Sequence, residues 1–402
     1  MIEDVTVAGC GVAGGFFALR ALQLGLKPTL IRVPMLAVGG VEIIPASAGR
    51  LLAILELDDV LAALGAGLGD GMVRWRADGA TDVSPGRSLH VDRQALRAGV
   101  VAEAVRRGAQ IRDVRRLPPF DPLAVSVDAT GRSAAWSRPV VRSGRLSADI
   151  FSVRGAIAPG TGRLAMMERG WAYLAADEAG ATAGVVGRSQ RPATHLDAET
   201  RDALGIAPEV DFHFIGRRPA FVQWASKPVF GRRIAIGDAA MHHNPIGGRG
   251  IGFALGSAFA AATAISTWRD DPASEGAAGA YYEGYVAAEV RRHLAFLEAG
   301  PDVSALATVL PTHICWIATS MMGEVVVDSR VVVSEVFRVR SGATIRWAGG
   351  LDLSHLRAVT AKPVRSEGAV EQLLSQGISV AEARRTLVWA LENGLIEAVS
   401  PV

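Results

Sequence analysis

The stretch that decides the fold is Asp4-Val5-Thr6-Val7-Ala8-Gly9-Cys10-Gly11-Val12-Ala13-Gly14. Its first five residues read as a short strand buried in a parallel sheet. Glycines at 9, 11 and 14 follow at once. The first allows a tight turn, the second lets backbone approach a pyrophosphate, and the third lets helix and strand pack closely. The helix that opens there presents free N–H groups to negative charge. Gly15 to Leu24 is apolar on every side, as expected for a helix packed under a sheet, and Gly25 ends it before a second strand at Pro28-Thr29-Leu30-Ile31. Such a strand, turn, helix and strand within about 30 residues predicts a dinucleotide-binding α/β domain.

One position departs from that pattern. The second strand usually ends in an acidic residue that accepts hydrogen bonds from ribose hydroxyls, whereas Arg32 stands here. A guanidinium cannot accept those bonds. It suits a 2′-phosphate, or the adenosine end is held in another way.

Working outward, a helix is signalled from Asp92 to Arg107, with Asp92 as N-cap and Gly108 closing the end. Pro118, Pro119 and Pro122 break the chain before a strand at Ala124 to Val127. Short apolar runs between Gly144 and Val229 predict an antiparallel sheet layer inserted into the first domain. The domain is expected to occupy residues 1–300, with a C-terminal region at 301–402 whose segment from Asp302 to Lys362 reads as helices and strands covering the site. Within it, Ser379-Val380-Ala381-Glu382 fits a capping box, the helix runs to Leu391, and Asn393-Gly394 ends it in a left-handed turn.

Composition narrows the function classes. The 402 residues carry a net charge of +2, and lysine occurs only at Lys27, Lys227 and Lys362. With no basic run, composition does not point to nucleic acid. Cys10 and Cys315 cannot build a disulfide framework, which suits a reduced compartment. No charged-then-apolar leader opens the chain, and the apolar stretch Ile251 to Thr267 falls short of a spanning helix. A cytoplasmic protein away from membranes is expected.

Two further segments carry chemistry. Asp128-Ala129-Thr130-Gly131-Arg132 follows a strand. Gly237-Asp238-Ala239-Ala240 follows the strand Arg233-Ile234-Ala235-Ile236 and leads into Pro245-Ile246-Gly247-Gly248-Arg249-Gly250-Ile251-Gly252. With the N-terminal glycines, in this order, these segments resemble the FAD-dependent aromatic hydroxylases and, more closely, their flavin-dependent tryptophan halogenase-like branch. The resemblance covers about residues 1–290. It implies α/β architecture: a Rossmann-like FAD domain of glutathione-reductase type, interleaved with an antiparallel substrate sheet. The last segment, about 365–402, resembles a small helical, winged-helix-like unit.

The resemblance implies FAD contacts from Gly9, Gly11, Gly14, Asp128, Gly131 and Gly237, with Asp238 on the ribityl chain; Arg32, where the pattern departs, is a further cofactor-binding candidate at the adenosine end. Pro245, Gly248, Gly250 and Ile251 would lie against isoalloxazine and pyrophosphate, and Arg93 matches a family arginine near the flavin. Gly170-Trp171-Ala172-Tyr173 looks like the strand lining the substrate side, and Glu42 is a further substrate candidate. The implied chemistry is oxygen activation at a flavin C4a-hydroperoxide, with O2 as co-substrate. No second glycine fingerprint is present, so the reductant, NADH or NADPH, acts directly in transit or through a flavin reductase.

Halogenases of this branch pass their oxidant to an essential lysine and carry a WxWxIP motif. This chain has no lysine between Lys27 and Lys227, and offers only Trp224 in Gln223-Trp224-Ala225-Ser226. The expectation is therefore a monooxygenase acting on an electron-rich ring. The nearest likeness is to flavoprotein monooxygenases that act on tryptophan residues of a protein or peptide during tryptophylquinone maturation, as for quinohemoprotein amine dehydrogenase; Gly40-Val41-Glu42-Ile43-Ile44-Pro45 belongs to that likeness. His242 and His243 stand near the flavin loop as candidate bases for the ring proton. Duller readings stand beside these. The histidines cap a loop or bond FAD, Trp171 and Tyr173 pack a core, and Glu42 caps a surface turn. A halogenase, a small-molecule hydroxylase, a flavin reductase and an FAD-sensing nucleic-acid binder using Arg384 and Arg385 are the alternatives.

Overall fold

A computed structural model describes residues 3–34, 39–45, 48–69, 72–75, 81–83, 88–167, 170–187, 195–207, 209–245, 248–299, 310–348, 351–374 and 380–400. The chain divides into two compact units, Met1–Arg269 and Asp270–Val402. The sequence reading draws this boundary near 300; the helix Glu275–Ala299 instead counts with the second unit.

The first unit is built on a six-stranded sheet. Its order is Val229–Phe230, Arg233–Ala235, Ser126–Asp128, Asp4–Ala8, Lys27–Arg32 and Gln110–Asp113. All neighbours are parallel except the first pair. Val5, Val7 and Ala8 are buried at 1% exposure or less, as a strand covered on both faces requires. The helix Val12–Gln23 packs Phe16, Phe17 and Leu19 into this core, and Gly25 leaves it at φ +75°. The helix Arg93–Arg106 starts where the sequence expects. Asp92 accepts from the N–H groups of Gln94 at 2.9 Å and Ala95 at 2.8 Å, a cap worth about 1 kcal/mol.

A seven-stranded, mostly antiparallel sheet forms the second layer, ordered Asp211–Pro219, Ser147–Arg154, Gly180–Gly187, Gly170–Asp177, Gly162–Met167, Met72–Trp75 and Thr81–Val83. Two of its strands lie well before the expected insert at 144–229, because Met72–Trp75 joins the edge in parallel with Gly162–Met167. One face of this sheet has its own core: Phe151, Val153, Ala172, Leu174 and Ala183 pack with Leu196, Leu204 and Ile206.

Helix Gly250–Asp270 corrects one expectation. By length and composition it could cross a membrane, yet 78% of its most apolar window is buried inside the protein. It is a core helix.

In the second unit, Ser320–Val327 and Arg330–Arg338 form a hairpin extended by Thr344–Ile345. Helices Leu353–Thr360, Ser366–Leu374 and Val380–Glu392 enclose Leu356, Val370, Leu373, Leu387 and Ile396. The strand His313–Trp316 pairs with both Val364–Arg365 and Ile396–Ala398. Gly394, at φ +69°, closes the last helix; the expected cap at Ser379 lies outside the described residues.

Candidate cofactor and substrate site

The strand Asp4–Ala8 has Lys27–Arg32 on one side and Ser126–Asp128 on the other. The order in which strands are added therefore reverses at this strand, and the space beyond its C-terminal end is the usual crevice for a ligand in an open α/β sheet. Gly9 to Gly14 sit there. Gly9 has φ +114°, and a Cβ on it would lie 2.3 Å from the Ala129 carbonyl oxygen. A Cβ on Gly14 would lie 2.4 Å from the Gly9 oxygen. Packing demands both glycines. At Gly11, Gly131 and Gly250, by contrast, a Cβ would meet nothing within 4 Å. The turn is thus tight on its protein side and open on the other. No side chain caps the helix start at Gly11, so its N–H groups remain for an anion.

A second helix start converges on the first. Gly237, at φ +54°, would with a Cβ stand 2.7 Å from Cβ of Ala13 and 3.8 Å from Cβ of Ala254. Its N–H donates to Ser257 Oγ at 2.9 Å. The turn Gly237–Ala239 is thereby held between the opening turns of Val12–Gln23 and Gly250–Asp270. Gly248, at φ +57°, closes a turn onto the Pro245 carbonyl at 3.2 Å, and Ile251 is buried just inside the helix. Ile246 and Gly247 lie outside the described residues. This double helix start, with open space above Gly11, Gly131 and Gly250, fits a dinucleotide pyrophosphate.

Asp238 stands at the centre, with 37% of its side chain exposed and Oδ2 3.2 Å from His242 Nδ1. Burial works to raise its carboxyl, but the hydrogen bond and charge of His242, aided by Arg132 and His243, hold it below the ordinary value. The Nε2 of His242 is buried and has no hydrogen-bond partner among the described residues. His243 diverges: it is 4% exposed and packs its ring 5.0 Å from that of Phe253.

Arg93 donates through Nε to Glu42 Oε1. The register Glu42↔Val91 between Val41–Ile44 and Ser88–Asp92 brings the pair together. Tyr173 lies within their field. Burial pushes its phenol up to about 12, Arg93 opposes and Glu42 adds. Trp171 and Tyr173 share a face of strand Gly170–Asp177, opposite the Ala172 and Leu174 face that fills the sheet core. The core-packing reading of these two aromatics therefore does not describe that core. Trp171 is 7% exposed, and its indole N–H finds no acceptor among the described residues.

Two sequence candidates take other tasks. Asp128 is fully buried; Oδ1 accepts from the N–H and hydroxyl of Thr130 at 3.0 and 2.6 Å, and Oδ2 from Trp136 N–H at 2.9 Å. It shapes the turn carrying Gly131 rather than reaching outward. Arg32 makes a two-pronged pair with Asp113, at 2.6 and 2.8 Å. A carboxylate missing from the second strand is thus supplied by its neighbour, and Arg32 is already engaged, so a 2′-phosphate would compete with Asp113.

Sequence reasoning missed Asp113, Gln223 and Arg218. Gln223 accepts from Arg142 Nε at 2.9 Å and donates to the Arg132 carbonyl at 2.8 Å, tying the turn that carries Gly131 to the strand pair Val140–Ser143 and Val222–Ala225. No local pattern marks them, because each acts across strand pairings. Among the described residues no group of three or more His, Cys, Asp or Glu could hold a metal.

These features define a fold: that of the flavin-dependent halogenases and hydroxylases. No protein-family model matches the chain, and no curated protein does. Solved structures do. A peptidyl tryptophan dihydroxylase, QhpG, essential for tryptophylquinone cofactor biogenesis, is 21% identical with TM-score 0.62, covering 98% of this chain and 100% of that one. CmlS, a flavin-dependent halogenase, is 16% identical with TM-score 0.70, covering 98% and 96%. The myxobacterial chondrochloren halogenase CndH is 19% identical with TM-score 0.63, covering 74% and 82%.

Proposed function

We propose that this chain is an FAD-dependent monooxygenase that hydroxylates an electron-rich aromatic ring, the ring being a tryptophan of a protein or peptide during quinone cofactor maturation. The observation that carries the reading is the pair of converging helix starts, with open space above Gly11, Gly131 and Gly250, in a chain with no lysine from residue 28 to 226. End-to-end likeness to a peptidyl tryptophan dihydroxylase supports the substrate class.

FAD held here would supply the activation of O2, with NADH, NADPH or a partner reductase as the source of electrons; one oxygen atom would enter the ring and the other leave as water. The residues of this chain do the rest. Gly9, Gly11 and Gly14, with the N-termini of Val12–Gln23 and Gly250–Asp270, would hold the pyrophosphate. Gly248 and Gly250 let the cofactor approach backbone closely. With His242 neutral and its Nδ1–H donated to Asp238, the buried Nε2 is left as the acceptor for the ring proton. Tyr173, neutral across the working pH range, and Trp171 line the face where the ring stacks.

A halogenase is the second reading, favoured by the 0.70 TM-score with CmlS. One experiment separates them. The protein is incubated with FAD, a reductant, O2 and bromide, and offered free tryptophan alongside tryptophan-containing polypeptides, with mass spectrometry of the products. Oxygen addition to polypeptide supports the monooxygenase. A bromine isotope pair, or oxygen on free tryptophan alone, sinks the protein-substrate reading.

A further inference from the structure

The register of the seven-stranded sheet lays one row of side chains across its site face. Met166 pairs with Trp171, Trp171 with Val186, Val186 with Ala148, and Ala148 with Arg218. Directly opposed residues point to the same side. Trp171 and Arg218 therefore share a face, three strand steps or about 14 Å apart. The residues between them are small.

Arg218 does not extend into solvent. Its NH1 donates to the Arg217 carbonyl at 3.1 Å and lies 3.5 Å from where a Cβ on Gly216 would stand. The guanidinium thus folds over Gly216, in the row that holds Tyr173, Gly184 and Ile150. Arg132 arrives from the other motif turn, its NH1 3.3 Å from the carbonyl of Pro219, next to Arg218. Burial pulls Arg132 below the ordinary guanidinium value; Asp238 opposes this, and Arg93 and Arg218 add to it.

The neighbouring arginines make direct ion pairs; Arg132 has only the more distant charge of Asp238. Arg217, on the opposite face, has a two-pronged pair with Asp149 at 2.7 and 2.8 Å, and Arg93 has Glu42. No carboxylate pairs with Arg132 or Arg218 among the described residues. At the other end of the row stands the buried, unpartnered indole N–H of Trp171. Indole and guanidinium donate only, so the two ends of this row present donors to whatever occupies it. A partly buried cation with no direct ion pair is costly, and a carboxylate matches the guanidinium fork.

We infer that the segment bound on this face carries a carboxylate seated by Arg218 and Arg132, so that the target ring lies next to an acidic residue. The inference rests on the reading of this face as the substrate side.

The test is calorimetric binding of two blocked peptides, Glu-Trp-Glu and Gln-Trp-Gln, to the FAD-loaded protein and to its Arg218→Gln and Arg132→Gln variants. The acidic peptide is expected to bind about tenfold more tightly, with the preference fading as salt rises and lost in Arg218→Gln. Flavin content should be unchanged in that variant. Equal affinity for both peptides, binding of neither, or loss of flavin from Arg218→Gln would overturn the inference, the last by assigning the arginine to a cofactor phosphate. Mass spectrometry of the same peptides reads the proposed activity separately. Charge preference without oxygen insertion removes the monooxygenase and leaves the carboxylate site; insertion without preference does the reverse.

Discussion

The phenol ring of Tyr173 occupies the space that a side chain at Gly184 would need: a Cβ there would fall 2.3 Å from both Cε1 and Cζ. The two residues are directly opposed on adjacent strands, so the ring lies along the sheet instead of standing up from it. Gly184→Ala should lift the ring from the site face at a cost of about 1–3 kcal/mol in overpacking. Substrate KM should rise with flavin still bound; steady-state kinetics beside a thermal melt checks this.

The Tyr173 phenol, pushed up to about 12, should stay protonated throughout any ordinary assay. Tyr173→Phe is expected to change the level of the pH–rate profile without moving its limbs. A basic limb that disappears in the variant would show that the phenol titrates within range.

Gly9 and Gly11 should respond oppositely to the same methyl group. Gly9→Ala drives Cβ into the Ala129 carbonyl at a backbone angle of +114° and should lower the melting temperature even without flavin. Gly11→Ala meets no protein atom, so its apoprotein should melt as wild type while FAD affinity falls. Flavin titration and melts of both apoproteins decide the matter.

Asp128→Asn removes the charge from a buried carboxylate that accepts three hydrogen bonds. A loss of about 1.5–3 kcal/mol is expected, read as a lower denaturant midpoint with the slope unchanged.

The Asp238 carboxyl is held below its ordinary value in the fold. Its stabilising contribution is therefore complete above the unfolded value of about 3.9 and lost as pH falls through the depressed one. Asp238→Asn should destabilise the protein at neutral pH and differ less from wild type in acid. Turnover should fall about 10²–10⁴-fold if His242 Nε2 takes the ring proton. Turnover equal to wild type in both Asp238→Asn and His242→Gln would remove that base.

Much of the first sheet and its glycine turn was legible in residue order. The glycines at 9, 11 and 14, the cap at Asp92 and the turn at Gly394 each depend on neighbours a few positions away, and all stand where the pattern placed them. Arg32 was legible as an anomaly but not as half of a pair, since Asp113 is 81 residues distant. The division between His242 and His243 could not be read at all, because adjacent histidines differ only in which neighbours they meet: Asp238 for one, Phe253 for the other.

By itself the sequence determined the turns, caps and strand periods, and with them the Rossmann-like cradle, because those features depend on local backbone sterics and hydrogen bonding. Only the tertiary structure decided which face Trp171 shares with Arg218, which glycine receives the Tyr173 ring, and which carboxylates pair with Arg32, Arg93 and Arg217. Those relations follow from strand register between segments far apart in the chain, where a slip of one residue would turn every side chain to the other face.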